Sequence, residues 1–246
     1  MKLISLNTWD GRILEPQLKF IKEQMGDTDI FCFQEVCSIT AKVSPLKDFP
    51  NDLLTIFKDL LIDFNTIYFP CLEIEGFKIG LATAVKKNLK IVNSAGHVFE
   101  ESKKEDFLLK GIQFLDISVE GKSFWLGNVH GVGHPSDKKD TQIRLNQSKI
   151  IISVLPRDDA KKILVGDFNL DIDTQSVRII EEAGMTNLIK RYGITDTRGE
   201  VNHAKHPDAV QFYADYVFVS DGIKVDKFEV PQVKISDHLP LILEFK

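Results

Sequence analysis

Cysteine is scarce in this chain. Cys32, Cys37 and Cys71 are the only three in 246 residues, an odd number with no C-x-x-C pair. A disulfide scaffold and a thiolate zinc site are thereby excluded, and buried reduced thiols of a cytoplasmic protein are expected. Long apolar runs are also lacking. Ile150-Ile151-Ile152 and Phe31-Cys32-Phe33 fall far short of the roughly 20 residues a membrane span needs. The opening segment Met1–Asn7 has no apolar core of a signal peptide, so no membrane insertion is expected. Positive charge is not in excess: 31 basic against 36 acidic residues leave a formal net charge of -5. A broad basic surface that neutralises many phosphates nonspecifically is therefore absent, and any phosphate binding has to be local. Low-complexity linkers and internal repeats are missing too, which predicts one domain over residues 1–246.

What is present is a succession of short apolar runs. Residues 2–7 read as a strand. Pro16 suits a first helical position, and Leu14, Leu18, Ile21 and Met25 recur at helical spacing behind it. Ile30 to Gln34 reads as a buried strand ending at Glu35. A helix is predicted over about 51–62, then strands at about 65–69, 79–86, 90–95, 111–119 and 122–129. Glu120-Gly121 between the last two is a hairpin signal. Asp140 or Thr141 caps a helix with Ile143, Ile150, Ile151 and Val154 on one face, stopped by Pro156. Lys162–Gly166 is a core strand, and Thr174–Ala183 a helix closed by Gly184. Tyr216–Val219, Ile223–Val230 and Leu241–Phe245 are the last strands, the middle one with a bulge between Val225 and Phe228. Mixed hairpin and helical connections without strict βαβ alternation indicate an α/β protein with mixed sheets.

The chemistry lies where these runs end. Asn7 follows Leu3–Leu6, Glu35 follows Ile30–Phe33 and His130 follows Phe124–Val129. Asp167 and Asn169 follow Ile163–Gly166, Asp237-His238 precedes Leu239–Leu243, and Asp215 opens the strand at Tyr216. One such residue alone is usually a turn former or a cap. Several that converge from different strands define a site, because a core has no use for them unless they are paired or bind a cation. In Gly166-Asp167-Phe168-Asn169 the side chains of Asp167 and Asn169 share one side of an extended segment and can share a ligand.

In order and spacing, Leu6-Asn7-Thr8-Trp9, Gln34-Glu35-Val36, Gly127-Asn128-Val129-His130, Gly166-Asp167-Phe168-Asn169, Ala214-Asp215-Tyr216-Val217 and Ser236-Asp237-His238-Leu239-Pro240 resemble the motifs of the endonuclease/exonuclease/phosphatase superfamily. The resemblance runs from residue 3 to 245. It implies an α/β fold, a four-layer sandwich of two mixed β-sheets packed face to face with helices on the outside. It also implies a Mg²⁺-dependent hydrolase of phosphate esters, phosphodiesterase, phosphatase or nuclease, with Mn²⁺ as a substitute ion. By that resemblance Glu35 is the principal metal ligand, with Asn7 and Asp237 close by or acting through water. Asp167 orients or deprotonates the attacking water, Asn169 holds a phosphate oxygen, and His238, held by Asp215, contacts the phosphoryl group or exchanges a proton. His130 donates to the same phosphate, although no acid that orients its ring is evident; Glu73 and Glu75 lie near the right segment and neither fits. Whether Asp167 or His238 is the base, and whether one or two ions act, stays open; one essential Mg²⁺ is expected.

The substrate is less determined. Three loops should form the rim: Cys37–Asn51, Gly131–Asp140 with Lys138 and Lys139, and Thr197–Phe212 with Arg198, His203, Lys205 and His206. The chain lacks the basic or aromatic insertions with which nucleases grip DNA. Trp9 is expected to pack under the site and Trp125 to be core; His97, His134, His203 and His206 are given no role. A monomer acting on nucleic acid, a small phosphodiester or a lipid headgroup is the resulting expectation. The alternative of another class is a non-catalytic member that binds a phospho-ligand or a protein, which the complete polar set opposes.

Overall fold

The computed structural model describes residues 1–39, 51–99, 110–156 and 160–246; most of the loop expected over Cys37–Asn51 lies outside them. Strand β1 (Lys2–Asn7) passes through a short 3-10 turn and helix α1 (Leu14–Gln24) to β2 (Ile30–Ile39), which runs parallel to it. Helix α2 (Leu53–Leu60) precedes the hairpin of β3 (Phe64–Ile74) and β4 (Phe77–Lys86), then β5 (Lys90–Val98). Strands β6 (Gly111–Val119) and β7 (Lys122–His130) flank Glu120-Gly121, both residues at positive φ as a tight hairpin requires. Helix α3 (Gln142–Val154) crosses to β8 (Lys161–Asp167), parallel to β7. There follow α4 (Gln175–Glu182), β9 (Met185–Asn187), α5 (Leu188–Arg191), α6 (Gly199–Lys205), β10 (Asp215–Ser220), β11 (Val225–Glu229) and β12 (Leu241–Phe245).

Two six-stranded mixed sheets result, ordered β11-β12-β1-β2-β4-β3 and β5-β6-β7-β8-β10-β9. Alternation along each strand explains the layers. On β1 and β2, Ile4, Leu6, Phe31 and Phe33 pack with Phe20 and Ile21 of α1 and Leu53 and Phe57 of α2. Leu3, Ile30 and Cys32, one residue out of step, join the core that contains Leu126, Val165 and Val217 of the second sheet. Ile151 of α3 and Val177 and Ile180 of α4 belong to the packing around that second sheet. The result is the expected four-layer α/β sandwich. Among the described residues no helix is long and apolar enough to cross a membrane.

Several local expectations shift. Helix α1 begins at Leu14, so Pro16 is its third residue, where an amide hydrogen is orphaned anyway. The inward face of α3 is Arg144, Gln147, Ser148 and Ile151 rather than its isoleucine row. Two of the polar three face the loop after His130: Arg144 donates to the carbonyls of Val132 (3.3 Å), Gly133 (3.2 Å) and Pro135, and Gln147 accepts from Val132 N (2.6 Å). Thr141 caps α3, whereas Asp140 accepts from Gln175 N and Ser176 N at the start of α4. The three-residue β9, the four-residue α5 and the seven-residue α6 are too short to show a period, and had no counterpart in the sequence pattern.

The sheets are joined by a polar seam. Gln34 Nε2 donates to Asn128 Oδ1 (2.7 Å) and to Ser5 Oγ (3.1 Å). Asn128 Nδ2 reaches the carbonyls of Phe33 (3.2 Å) and Ala82 (3.3 Å) and Thr83 Oγ1 (3.3 Å). Thr83 in turn donates to Gln113 Oε1 (2.7 Å), and Gln113 Nε2 to the Ile67 carbonyl (3.0 Å). Such amides are stable in a core only when their partners are kept. Asn128→Ala is therefore expected to lower unfolding free energy by about 3 kcal/mol, through a cavity and stranded acceptors. A urea midpoint shift at constant m-value measures it, and a loss below about 1 kcal/mol would contradict this role for the seam.

Candidate active site

Two parallel strand pairs with crossover helices bring the carboxyl-terminal ends of β1, β7 and β8 to one rim, beside the middle of β2. Asn7 pairs in register with Gln34, and His130 with Asp167. Because β10 runs antiparallel to β8, its first residue Asp215 lies opposite Asp167. β12 runs antiparallel to β1, so Asp237 and His238, just before it, arrive at the same edge. The topology thus gathers the strand-end residues that the sequence separates.

Glu35 reaches the rim by a bulge. Strict alternation would put it with Phe31 and Phe33 on the helix side. The register of β2 against β4 slips between Phe33 and Val36, and Glu35 has φ 57°, which turns its carboxylate between the sheets. There Glu35 Oε1 lies 3.4 Å from His130 Nε2 and 3.8 Å from Lys110 Nζ. The strand does not end at Glu35, as the sequence suggested, but continues to Ile39. Lys110 Nζ donates to His130 Nε2 at 2.7 Å, and Asp167 Oδ2 is 3.6 Å from the same nitrogen. These groups, not Glu73 or Glu75, surround the His130 ring; Glu73 pairs with Lys78 at 2.9 Å.

Asp167 is the hub. Its Oδ2 accepts from Asn7 Nδ2 (3.0 Å) and Asn169 Nδ2 (3.2 Å), and its Oδ1 from Asn169 N (2.9 Å). The Asn7 amide is fixed at its other end too, since Oδ1 accepts from Trp9 N at 3.0 Å. That contact needs the left-handed turn Trp9-Asp10-Gly11 (φ 47°, 53° and 74°), a strained conformation beside the site. Gly166 has φ +132°, and a Cβ there would stand 2.1 Å from the Val129 carbonyl oxygen. Only glycine fits that close approach of β7 and β8. Asn169 also donates to the Gly131 carbonyl (2.8 Å), while its Oδ1 accepts from the buried Lys138 Nζ.

On the far side, His238 Nδ1 lies 2.8 and 2.9 Å from the two Asp215 oxygens. Its Nε2 meets Arg198 Nη1, and Arg198 Nη2 reaches Asp237 Oδ2 at 3.4 Å. Ser236 Oγ donates to the Asn7 carbonyl at 2.7 Å and ties this segment to β1. His97, His134 and His206 are exposed, and His203 lies against Asp196 at 3.4 Å. Trp125 is core and stacks on Phe114. Trp9 borders the rim, with Lys205 Nζ 4.6 Å and Arg12 Cζ 5.5 Å from its ring centre. In the sequence Lys138 and Arg198 are only loop cations, and Lys110 carries no signal. Lys110 follows no motif and directly precedes β6, so burial alone reveals it.

Burial sets the protonation of the site. It holds the His238 and His130 imidazoles well below their ordinary value, reinforced by Arg198 and Lys138 around the first and Lys110 and Lys138 around the second. Both rings are neutral at pH 7; Nδ1–H of His238 faces Asp215, and Nε2 of His130 accepts from Lys110. Burial and the neighbouring Asp167 push Asp215 well up. Burial also brings Lys138 down to about 8 and Asp237 up to about 6, the latter opposed by Arg198. The donors suit a hard cation. Asp167, Asp215 and His238 each offer one ligand atom within 4.8 Å of the others, and the buried Asp237 Oδ1 has no hydrogen-bond partner. Oxygen-rich donors of this kind favour Mg²⁺ or Mn²⁺ over soft metals.

Asp10 is a further buried carboxyl, 3.7 Å from Cys37 Sγ; burial and the nearby Glu35 charge push it up to about 8. Between pH 4 and 8 the folded chain therefore holds a proton at Asp10 that the unfolded chain has lost, so this group's contribution to stability falls as pH rises. Asp10→Asn should gain on wild type between pH 5 and 8, by at most about 1.4 kcal/mol per pH unit. Urea midpoints of both proteins at the two pH values read this, and a constant difference would refute it.

The family model described as "Endonuclease/Exonuclease/phosphatase family" matches residues 4–238. No curated protein matches the sequence. Among solved structures, an endonuclease/exonuclease/phosphatase family protein from Leptotrichia buccalis is similar, with 17% identity and TM-score 0.75 over 100% of this chain and 99% of that one. The mannosyl-6-phosphatase Bt3783 of Bacteroides thetaiotaomicron gives 18% and 0.73 over 100% and 99%. The human Nocturnin catalytic domain with bound sulfate gives 15% and 0.71 over 100% and 94%. At such identities the likeness is one of fold.

Proposed function

The chain belongs to the endonuclease/exonuclease/phosphatase family, and from that premise we propose that it is a metal-dependent hydrolase of phosphate esters. One observation carries the reading: carboxylates and buried cations interleave at a single rim. Lys110 sits on His130, Lys138 on Asn169 and Arg198 on His238 and Asp237, all within a region that also buries Asp167 and Asp215. Burying so many charges is costly for folding alone. A divalent cation for the carboxylates and a phosphate for the cations would complement both sets.

In this proposal Glu35, Asn7 and Asp237 would hold Mg²⁺, and Asp167, Asp215 and His238, whose ligand atoms lie within 4.8 Å of one another, are kept for the water and the phosphoryl group. Asp237 contributes an unpartnered oxygen, and Asn7 Oδ1 keeps a second lone pair beside its bond from Trp9. The ion, when bound, stabilises charge on the phosphoryl oxygens and lowers the pKa of a water. Asp167, fixed by three N–H donors, orients the attacking water and takes its proton. Asp215 keeps the His238 ring in the tautomer whose Nε2 faces the rim, the orienting role of a carboxylate behind an imidazole. Asn169, Lys138 and Arg198 receive phosphoryl oxygens, and Lys110 with His130 stabilises the charge that grows in the transition state. A water in line with the scissile P–O bond attacks phosphorus as Asp167 takes its proton; the P–O bond to the alcohol breaks with its electron pair on the leaving oxygen, which takes a proton from solvent.

Wild type should hydrolyse p-nitrophenyl phosphate or bis-p-nitrophenyl phosphate with Mg²⁺ or Mn²⁺ and lose that activity in EDTA. His238→Ala should lower kcat by about 10²–10⁴-fold. Glu35→Ala should lower Mg²⁺ affinity as well, read separately by calorimetry. An inert wild type that also binds no Mg²⁺ would sink the proposal. A steep fall of activity with added salt would favour a nucleic-acid substrate, and a flat response a small ester.

A further inference from the structure

The buried Arg144 guanidinium of α3 has five N–H donors, and each meets its own acceptor. Nε takes the Val132 carbonyl, Nη2 the carbonyls of Gly133 and Pro135, and Nη1 the Lys139 carbonyl and Asp137 Oδ1. All five acceptors belong to one loop, and four of them are backbone carbonyls. The single carboxylate among them is half-exposed. Burying a guanidinium carries a large desolvation penalty, and an apolar side chain on this helix face would avoid it. What the fork secures instead is the course of the loop.

That course converges on Lys138. Its two neighbours, Asp137 and Lys139, are both held by Nη1, and Asp137 Oδ1 also accepts from Lys139 N at 3.1 Å. Lys138 between them has φ 59°, a left-handed conformation that a long side chain adopts only where its surroundings impose it. The ammonium is thereby turned inward to Asn169 Oδ1, and the carbonyl accepts from Asp171 N at 2.8 Å. Lys139, one residue on, is exposed. Three residues along α3, Gln147 Nε2 donates to the Phe168 carbonyl at 3.2 Å, next to Asn169. One helix face thus fixes both sides of the Lys138–Asn169 contact. We propose that Arg144 is a positioning residue, which sets the Lys138 ammonium at the phosphoryl site while all of its own donors stay on the loop. The inference rests on the phosphoesterase reading only for what Lys138 does once it is placed. A lysine at position 144 keeps the charge but has three donors on one atom, so at least two of the five acceptors lose their partner.

The test is amine labelling of the whole folded chain by reductive methylation, read residue by residue with tandem mass spectrometry. In wild type the buried Lys138 and Lys110 should be protected and the exposed Lys139 modified. In Arg144→Lys the modification of Lys138 should be about tenfold faster, the size of one or two lost hydrogen bonds expressed as a local opening, with Lys110 still protected. Free labelling of Lys138 in wild type, unchanged protection in the variant, or Lys110 and Lys138 opening together would overturn the role. Should Arg144→Lys not fold, Asp137→Ala at an exposed position makes the same comparison; a rise of about threefold at Lys138 supports the role and no rise overturns it. Hydrolysis of p-nitrophenyl phosphate with Mg²⁺ supplies a second readout. Lys138→Met and Arg144→Lys should each raise KM about tenfold with a smaller change in kcat. The double variant should be no worse than Lys138→Met alone, because Arg144 acts through Lys138, and additive losses would overturn the role. If wild type hydrolyses nothing and binds no Mg²⁺, the phosphoesterase reading fails, and the labelling still decides the placement of Lys138.

Discussion

The bond between Gln34 and Asn128, 2.7 Å long between two fully buried side chains, is the constraint on which the rest of the structure depends. Hydrophobic packing alone lets two sheets slide, because apolar contacts are not directional. An amide pair that also bonds Ser5, Thr83 and the backbone carbonyls of Cys32, Phe33 and Ala82 permits one alignment. That alignment brings the ends of β1 and β2 against those of β7 and β8. Gln34 precedes Glu35 and Asn128 lies two residues before His130, so the pair that sets the alignment also sets two members of the site.

The rim above this seam is arranged against the preferences of a stable core. Left-handed residues stand at Trp9, Asp10, Glu35, Lys138 and Asn169, and charged side chains are buried among neutral imidazoles. Each departure from the ordinary rules places an atom: Trp9 N on Asn7, Glu35 between the sheets, Lys138 on Asn169. Concentrated exceptions of this sort are characteristic of functional regions, where stability is traded for placement. The polar face of α3 is part of the same trade, since Arg144 and Gln147 hold the loop after His130 where apolar residues could have packed.

Much of this was legible in the sequence. The strand runs, the Glu120-Gly121 hairpin, the Thr141 cap and the bulge in β11 follow from local periodicity and turn chemistry, which act over a few residues. The polar residues at run ends identified eight positions that the fold gathers at one edge. What stayed hidden depends on tertiary context. The bulge that redirects Glu35 leaves alternation in the sequence unchanged, the inward arginine of α3 has no apolar signature, and Lys110 is defined only by the strand beside it. A cation in a loop looks the same whether it faces water, as Lys139 does, or is sealed against a histidine, as Arg198 is.

The segment from Thr197 to Phe212 begins and ends on itself: Thr197 N donates to Phe212 O, and Thr197 Oγ1 accepts from Ala214 N and Asp215 N at 3.1 and 3.2 Å. Its two ends are thus clasped by one threonine just where the chain enters β10. Chain inserted or deleted beyond Arg198 has little leverage on Asp215, and lengthening a closed loop carries only a small entropic penalty. The clasp makes the segment exchangeable. Descendants of this gene could replace the stretch beyond Arg198 as one cassette, with the strand-end residues of the rim left in place.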